Sequence, residues 1–181
     1  MFDAQDATVT RGAGGGEGVS LHGHYLVICY GSDGAEKWRD TIENVVTTLG
    51  KNDFLDKYLK GSSYTQTIRM GLKGTGSAVA GDSQSSHAGW LEVGLANAPT
   101  YSGNRKDVTM GAASSGVSTS PAQTFSISGS GTVSGCFIND GGSATKDDTS
   151  GVLFSAGDFT GGDKIVANGD TLSVTYTLTV T

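Results

Sequence analysis

The chain has 181 residues, of which only 17% are charged, and a formal net charge of −6. An acidic balance argues against a general nucleic-acid binder, which would show a basic patch or stripe. The longest purely apolar run, Leu26–Cys29, is far too short to span a membrane. With 29 glycines and 2 prolines, the composition is typical of an all-β protein with many tight turns.

Residues 1–20 are predicted to form a flexible, glycine-rich arm, followed by a single domain over residues 21–181. The run Arg11–Gly18 cannot bury enough apolar surface to offset its ordering entropy, so it is either a tether or a segment that orders against a partner. Residues Met1–Asp6 lack the basic region and apolar core of a signal peptide. We therefore expect synthesis and retention in a cytoplasm, or release from it by lysis.

The domain begins with a predicted β-hairpin. Tyr25–Tyr30 forms the first strand, Gly31–Gly34 supplies Asp-Gly turn chemistry, and Lys37–Val46 returns as the second strand.

One helix is predicted over Asn52–Lys60, with Asn52 as its N-cap and Gly61 closing its carboxyl end. Its apolar residues form one stripe, consisting of Phe54, Leu55, Tyr58 and Leu59. A helix of this length is unstable alone, so we expect the stripe to dock on a sheet.

The remaining strands are short and separated by turn signals. They are predicted at roughly Thr65–Leu72, Trp90–Val93, Thr124–Ser128, Thr132–Ile138, Val152–Phe154 and Lys164–Val166. Within the fourth of them, Val133 and Phe137 are expected to face the same side. The last segment, Asp170–Thr181, alternates apolar and polar residues throughout, which indicates a half-buried strand paired inside a sheet. About eight to ten strands and one helix favour an all-β fold, a β-sandwich of jelly-roll or immunoglobulin-like topology.

Several residues are candidates for chemistry but lack the surrounding pattern. Cys29 and Cys136 lie in apolar strands and are expected to be buried free thiols, although a disulfide between them stays open. His22, His24 and His87 show no metal-binding spacing and are interpreted as surface residues. Carboxylate and amide side chains in two glycine-rich loops offer oxygen ligands for calcium, but solvated turns are the preferred interpretation. They are Asn139, Asp140, Asp147, Asp148, Asp158 and Asp163.

No catalytic residue, cofactor site or metal site is predicted, and an enzyme is not expected. Ser86-His87 lacks a Gly-x-Ser-x-Gly elbow. The amino-terminal glycine run matches neither a dinucleotide-binding nor a phosphate-binding loop. Trp38 and Trp90 are interpreted as anchors of a core or an interface rather than as sugar-stacking platforms.

Several stretches after residue 20 resemble a family of small tailed-bacteriophage proteins found among virion structural genes. The matching stretches are His24-Tyr25, Tyr30–Gly34, Lys37–Asn44, Gly50–Leu59, Ser86–Trp90, Thr124–Ile127, Leu153–Gly157 and Gly169–Val174. The family resembles head decoration (cement) proteins. The resemblance implies a protein on the capsid exterior that binds the outer face of the major capsid protein lattice and stabilises the head.

The expected partners are the major capsid protein and further copies of the chain, as a homodimer or homotrimer, without nucleic acid or membrane. Candidate capsid contacts lie in the arm, at Arg11, Gly14 and Gly16, and at a strand edge, at Trp38, Arg39 and Asp40. Arms that order on binding can wrap a large surface.

The alternative is a receptor- or carbohydrate-binding module displayed on the virion, for example at the tail. In that alternative Trp90, Tyr101 and the Gly-Ser loops would form the ligand surface.

Overall fold

A computed structural model describes residues 18–65 and 67–181. This part of the chain forms an antiparallel β fold with one helix, as the sequence predicts. The strands are β1 Leu21–Tyr30, β2 Glu36–Val46, β3 Ile68–Lys73, β4 Glu92–Val93, β5 Lys106–Val108, β6 Val117–Thr119, β7 Gln123–Ser126, β8 Gly131–Val133, β9 Gly135–Asp140, β10 Val152–Phe159, β11 Lys164–Val166 and β12 Thr171–Val180. The helix α1 spans Thr48–Tyr58 and connects β2 to β3.

Ten strands form one continuous sheet that folds over on itself. Its order is β4-β3-β9-β10-β2-β1-β12-β6, with β5 added to β3 and β7 added to β12, while β8 and β11 form a separate pair. The two ends approach each other at an isolated bridge between Tyr101 and Ile127. Ser102 N–H also donates to the carbonyl of Ser126, at 2.9 Å. The result is a sandwich-like arrangement around one core.

The core lies between the two halves of this sheet. Strands from opposite ends of the ladder, such as β3 and β12, contribute side chains to the same buried cluster. From β1 the inward residues are Tyr25, Val27 and Cys29, whereas Leu26 points outward and is 37% exposed. Because side chains alternate along a strand, one face of the predicted hairpin is buried and the other is not.

The carboxyl-terminal strand lies inside the sheet, as its alternation indicates. Strand β12 pairs with β1 along one edge and with β6 and β7 along the other. Leu172, Val174 and Tyr176 are buried in the core, while Thr171, Ser173 and most of the threonines on the opposite face are half-buried.

The expectation that Val133 and Phe137 share a face is wrong. Val133 belongs to the main core, while Phe137 packs with Trp90 and Leu153 in a second cluster. Ser134 lies between β8 and β9 and donates its N–H to the carbonyl of Lys73, so the chain changes sheets there. Period-two alternation does not continue across such a break.

Candidate functional site

Helix α1 begins directly after β2, and its N-cap is Thr47. The Thr47 hydroxyl accepts the Gly50 N–H at 2.9 Å, which satisfies one of the unpaired donors of the first turn. The predicted start at Asn52 is therefore wrong, because Thr47, directly after β2, already caps the helix. The helix ends at Tyr58 with Leu59 as its C-cap, two residues before the predicted end at Lys60. Gly61 follows with a φ of +70°, a conformation that glycine favours after a helix.

The apolar stripe of α1 does not dock as expected. Gly50 is the buried residue of the helix, and it sits against the backbone of Phe154 on β10. Leu55 is 48% exposed, Tyr58 76% and Leu59 71%. The first turn of the helix approaches β10 closely because Gly50 has no side chain. Of the predicted stripe, Phe54 is half-buried, and the other three residues are left in solvent.

We call Leu55, Tyr58 and Leu59 the α1 face. Residues three and four apart lie on one side of a helix, so these three side chains form a continuous apolar surface. A shallow groove at the base of the arm, lined by Val19, Leu21 and Leu55 among others, borders this face. Exposed apolar patches of this kind mark interaction surfaces when they are large enough.

An apolar cavity of about 290 Å³ lies between α1 and the sheet. Its walls are mainly aromatic and aliphatic. They consist of Phe54 and Tyr58 from the helix and of Tyr64, Ile68, Met110, Ile138, Phe154, Tyr176 and Leu178. We call it the α1 cavity. Its shape and lining are typical of small-ligand sites, which are mostly apolar with a few fixed polar groups.

The polar groups of the α1 cavity are Asp53, Lys57, Tyr64 and Asp140. Lys57 Nζ donates to Asp53 Oδ2 at 2.8 Å and to Asp140 Oδ2 at 2.7 Å. The Tyr64 hydroxyl donates to Asp140 Oδ1 at 3.4 Å, and its ring lies 4.3 Å from Lys57 Nζ. The helix thus carries two members of a cluster that β9 completes with Asp140.

Burial sets the electrostatics of this cluster. It raises the pKa of Asp53, and the neighbouring Asp140 charge adds to the rise against the opposing effect of Lys57. Burial also raises the pKa of Tyr64 to about 12, again with help from Asp140. For Lys57 burial acts the other way, but hydrogen bonds to Asp140 and Asp53 outweigh it and raise the pKa. Lys57 therefore stays charged between the two carboxyl groups at neutral pH.

The predicted strand-edge contacts belong to a strand inside the sheet. Strand β2 lies between β1 and β10. Its second half pairs with β10, and this pairing ends where Ile42 lies opposite Phe159. Its first half extends beyond the paired region. Trp38 packs edge-on against Phe159, with ring centroids 5.5 Å apart. The backbone edge of β2 that faces β10 is therefore free of strand pairing only in this first half, which contains Trp38, Arg39 and Asp40.

The charged neighbours of Trp38 also have partners within the chain. Asp40 accepts from Lys164 Nζ at 2.7 Å and from the Gly161 N–H at 3.0 Å. Arg39 is exposed and pairs with Glu36 at 2.6 Å. The arm candidates Arg11, Gly14 and Gly16 lie outside the described residues.

Trp90 and Tyr101 do not contribute to a carbohydrate-binding surface. Trp90 and Tyr101 are each only 2% exposed, so neither ring can stack on a sugar. The Trp90 indole N–H donates to Asp82 at 2.9 Å, and its ring stacks on His87. Lys146 Nζ lies 4.2 Å from the centroid of the Tyr101 ring. The interpretation of Trp90 as a core anchor is confirmed, and the prediction of a Trp90 and Tyr101 ligand surface is wrong.

Basic side chains pair with acidic residues of the strands, and one of them also binds the loop between β9 and β10. Arg105 and Glu92 form a buried bidentate pair, and Arg105 also donates to the carbonyls of Ser143 and Asp148. Lys73 is fully buried and pairs with Asp158. Within residues 18–65 and 67–181, no three His, Cys, Asp or Glu side chains are grouped as they would be around a metal ion.

Both cysteines are buried free thiols in the structure, as expected. His22 and His24 are exposed on β1. No helix in the described part of the chain is long and apolar enough to cross a membrane.

Comparisons with protein-family models, with curated protein sequences and with solved structures gave no match.

Sequence reasoning missed the α1 cavity. The apolar stripe predicts packing of Phe54 and Tyr58 on the sheet, but several partners that complete the cavity, such as Tyr176 and Leu178, are distant in sequence. The one local signal is the spacing of Asp53 and Lys57, which is that of an i,i+4 ion pair on a helix. Asp140 joins them only through the folding of β9 beside the helix.

Proposed function

We propose that this chain is a bacteriophage head decoration protein that binds the outer face of the major capsid protein lattice. The resemblance of the sequence to small virion proteins suggests the class. The observation that carries the proposal is the α1 face, on which Leu55, Tyr58 and Leu59 are all left in solvent. Burying such side chains against a partner is favourable by roughly 25 cal/mol per Å² of apolar surface.

The location of the α1 face suits a protein that also attaches through its arm. Val19, at the base of the arm, is 77% exposed and lines the same groove as Leu55. A partner seated on the α1 face therefore lies next to the point where the arm leaves the domain. Many weak contacts of this kind become strong when they repeat over a lattice.

A decoration protein that sits on a local symmetry axis would be a homodimer or a homotrimer. Each copy would then present its own α1 face and arm to the lattice. Arg39, which is exposed on β2, is a further candidate contact.

The test measures how many copies of the protein bind to phage heads that lack it. Purified full-length protein is added to heads, unbound protein is removed by sedimentation, and bound copies are counted on a gel. The variant Tyr58→Ser with Leu59→Ser should bind about tenfold more weakly or worse, since buried apolar anchors carry most of the energy of an interface. Deletion of residues 2–18 should also lower occupancy and the heat resistance of the heads.

The matched control is Ile165→Ser on β11, which removes an apolar side chain that is 78% exposed but lies away from α1. This control should bind like the unchanged protein. Equal occupancy for the α1 face variant and the control would contradict the proposal. Binding of the full chain to a glycan array, without binding to heads, would instead support a receptor- or carbohydrate-binding module.

A further inference from the structure

We propose that the α1 cavity binds a small organic cation, a primary ammonium carried on a compact apolar group. Tyr58 belongs to both the α1 face and the cavity wall, but the polar residues that recognise the cation are not part of the α1 face. Variants of those polar residues therefore test the cavity separately from capsid attachment. It rests on the shape of the cavity, on the chemistry of its walls and on one unused acceptor among its polar groups.

The walls select an apolar body. Three tyrosine and two phenylalanine side chains line the cavity together with Ile68, Met110, Ile138 and Leu178. The volume of about 290 Å³ lies just below the range for small-molecule sites, which is roughly 300–1,000 Å³. A single aromatic ring or a short alkyl chain fits such a space, whereas a large ligand does not.

The polar groups select a positive charge. Two carboxylates, Asp53 and Asp140, surround one ammonium, Lys57, so the group has a net charge of −1 when all three are ionised. Three of the four carboxylate oxygens accept hydrogen bonds from Lys57 or Tyr64. Within residues 18–65 and 67–181, Asp53 Oδ1 accepts none. An ammonium placed there gains an acceptor and compensates the remaining charge.

Other classes of ligand fit less well. An anion would face two carboxylates, and a neutral molecule would leave the net charge uncompensated. A divalent cation such as Ca²⁺ requires six to eight oxygen ligands, which two carboxylates already bound to Lys57 do not supply. A primary ammonium on an apolar group can pack that group against the apolar walls and donate a hydrogen bond to Asp53 Oδ1.

The experiment titrates the full-length chain with three probes of similar shape and different charge. They are phenethylamine, 2-phenylethanol and 3-phenylpropionate. Chemical shifts of the methyl groups of Ile68, Met110 and Leu178, which line the cavity, report binding by NMR. We expect phenethylamine to shift these methyl resonances and to bind at least about tenfold more tightly than either other probe, as charge-assisted hydrogen bonds are the stronger kind.

Two matched variants test the role of Asp53. Asp53→Asn removes the charge and should weaken phenethylamine binding about tenfold. Asp56→Asn makes the same change on the same helix at a side chain that is 59% exposed and lies 3.9 Å from Lys60, and it should leave the affinity unchanged. Binding of Asp53→Asn to heads should also be unchanged, so failure of this site is distinguishable from failure of the capsid proposal.

Three outcomes would overturn the proposal. The first is equal binding of the amine and the alcohol, and the second is an equal loss of affinity in both asparagine variants. The third is no shift with phenethylamine together with a change of the cavity methyl resonances when residues 2–18 are deleted. That last result would assign the cavity to the arm of the chain itself.

Discussion

Gly50 of α1 lies directly against the backbone of Phe154 on β10, with no space between them for a side chain. A Cβ atom at Gly50 would lie 2.9 Å from both the Cα and the carbonyl carbon of Phe154. Real Cβ atoms do not approach other atoms so closely. The contact fixes the distance of the helix from the sheet, and the Thr47 N–H reinforces it by donating to the Phe154 carbonyl at 3.0 Å.

Replacing Gly50 with valine should therefore push α1 away from β10. We expect the free energy of unfolding to fall by about 1–3 kcal/mol, the usual cost of overpacking a close contact. Urea denaturation followed by circular dichroism measures the loss. The α1 cavity should change as well, because Phe54 and Phe154 line it from the two sides of this contact.

The control is Gly81→Val, where an added Cβ meets no atom within 4 Å. This variant should stay within about 0.5 kcal/mol of the unchanged protein, as surface substitutions usually do. If the two valine variants lose the same stability, the helix does not depend on the approach of Gly50 to Phe154.

The same glycine shows why the fold was easier to predict than the site. The alternation of Leu172, Val174 and Tyr176 depends only on the local period of a strand, so β12 and the all-β class could be read directly. The docking of α1 could not be predicted in this way, because the sequence pattern indicates that the apolar stripe, and not Gly50, contacts the sheet. Which face of a short helix meets a sheet depends on tertiary contacts that propensity does not encode. The positions of Asp140 and Tyr64 at the α1 cavity likewise depend on tertiary contacts, so the sequence pattern does not predict them.

The buried pair of Arg105 and Glu92 should be a major determinant of stability. Both side chains are almost fully buried, at 0% and 4% exposure. Arg105→Leu would leave the Glu92 carboxylate buried without its partner, and it would also release the carbonyls of Ser143 and Asp148. We expect a loss of about 3–5 kcal/mol in the free energy of unfolding, measured by urea denaturation.

Arg39→Leu provides the matched control for this pair. Arg39 also forms a bidentate pair, with Glu36, but its side chain is 61% exposed. Solvent screens an exposed ion pair and leaves it little net stabilisation, so this variant should lose much less stability than Arg105→Leu. A comparable loss of unfolding free energy in both leucine variants would contradict the prediction that burial makes the pair of Arg105 and Glu92 important for stability.

The unfolding free energy should fall in acid partly through Asp170. Burial alone would raise the pKa of this carboxyl group, but the Ala167 N–H and Lys37 outweigh it and hold the pKa below its usual value of 3.8. A carboxyl group with a depressed pKa stabilises the folded state above its unfolded pKa. That contribution is present at neutral pH and is lost as the pH falls through the folded-state pKa.

Asp170→Asn should therefore be less stable at neutral pH and should lose less stability than the unchanged protein between pH 5 and pH 2, as the acid-linked contribution is missing. Urea midpoints measured across this range give the comparison. Asp163→Asn, at an exposed residue of the loop between β10 and β11, should keep the full acid dependence. Equal acid dependence in the unchanged protein and in Asp170→Asn would contradict the role of Asp170.

Neither thiol should react while the protein is folded. Burial is the largest influence on both groups, and it raises the pKa of Cys29 to about 11 and that of Cys136 well above its ordinary value. The thiolate is the reactive form, and both side chains are also closed to solvent, at 0% exposure. Ellman's reagent at pH 8 should therefore label no cysteine in the native chain and should label two in urea without reductant, since both cysteines are free.

Ser85→Cys, which places a thiol at an exposed position, should label in the native state and shows that the reagent is active. Rapid native labelling of the unchanged protein would mean that the strands carrying Cys29 and Cys136 open readily, because only opening can both admit the reagent and restore an ordinary thiol pKa.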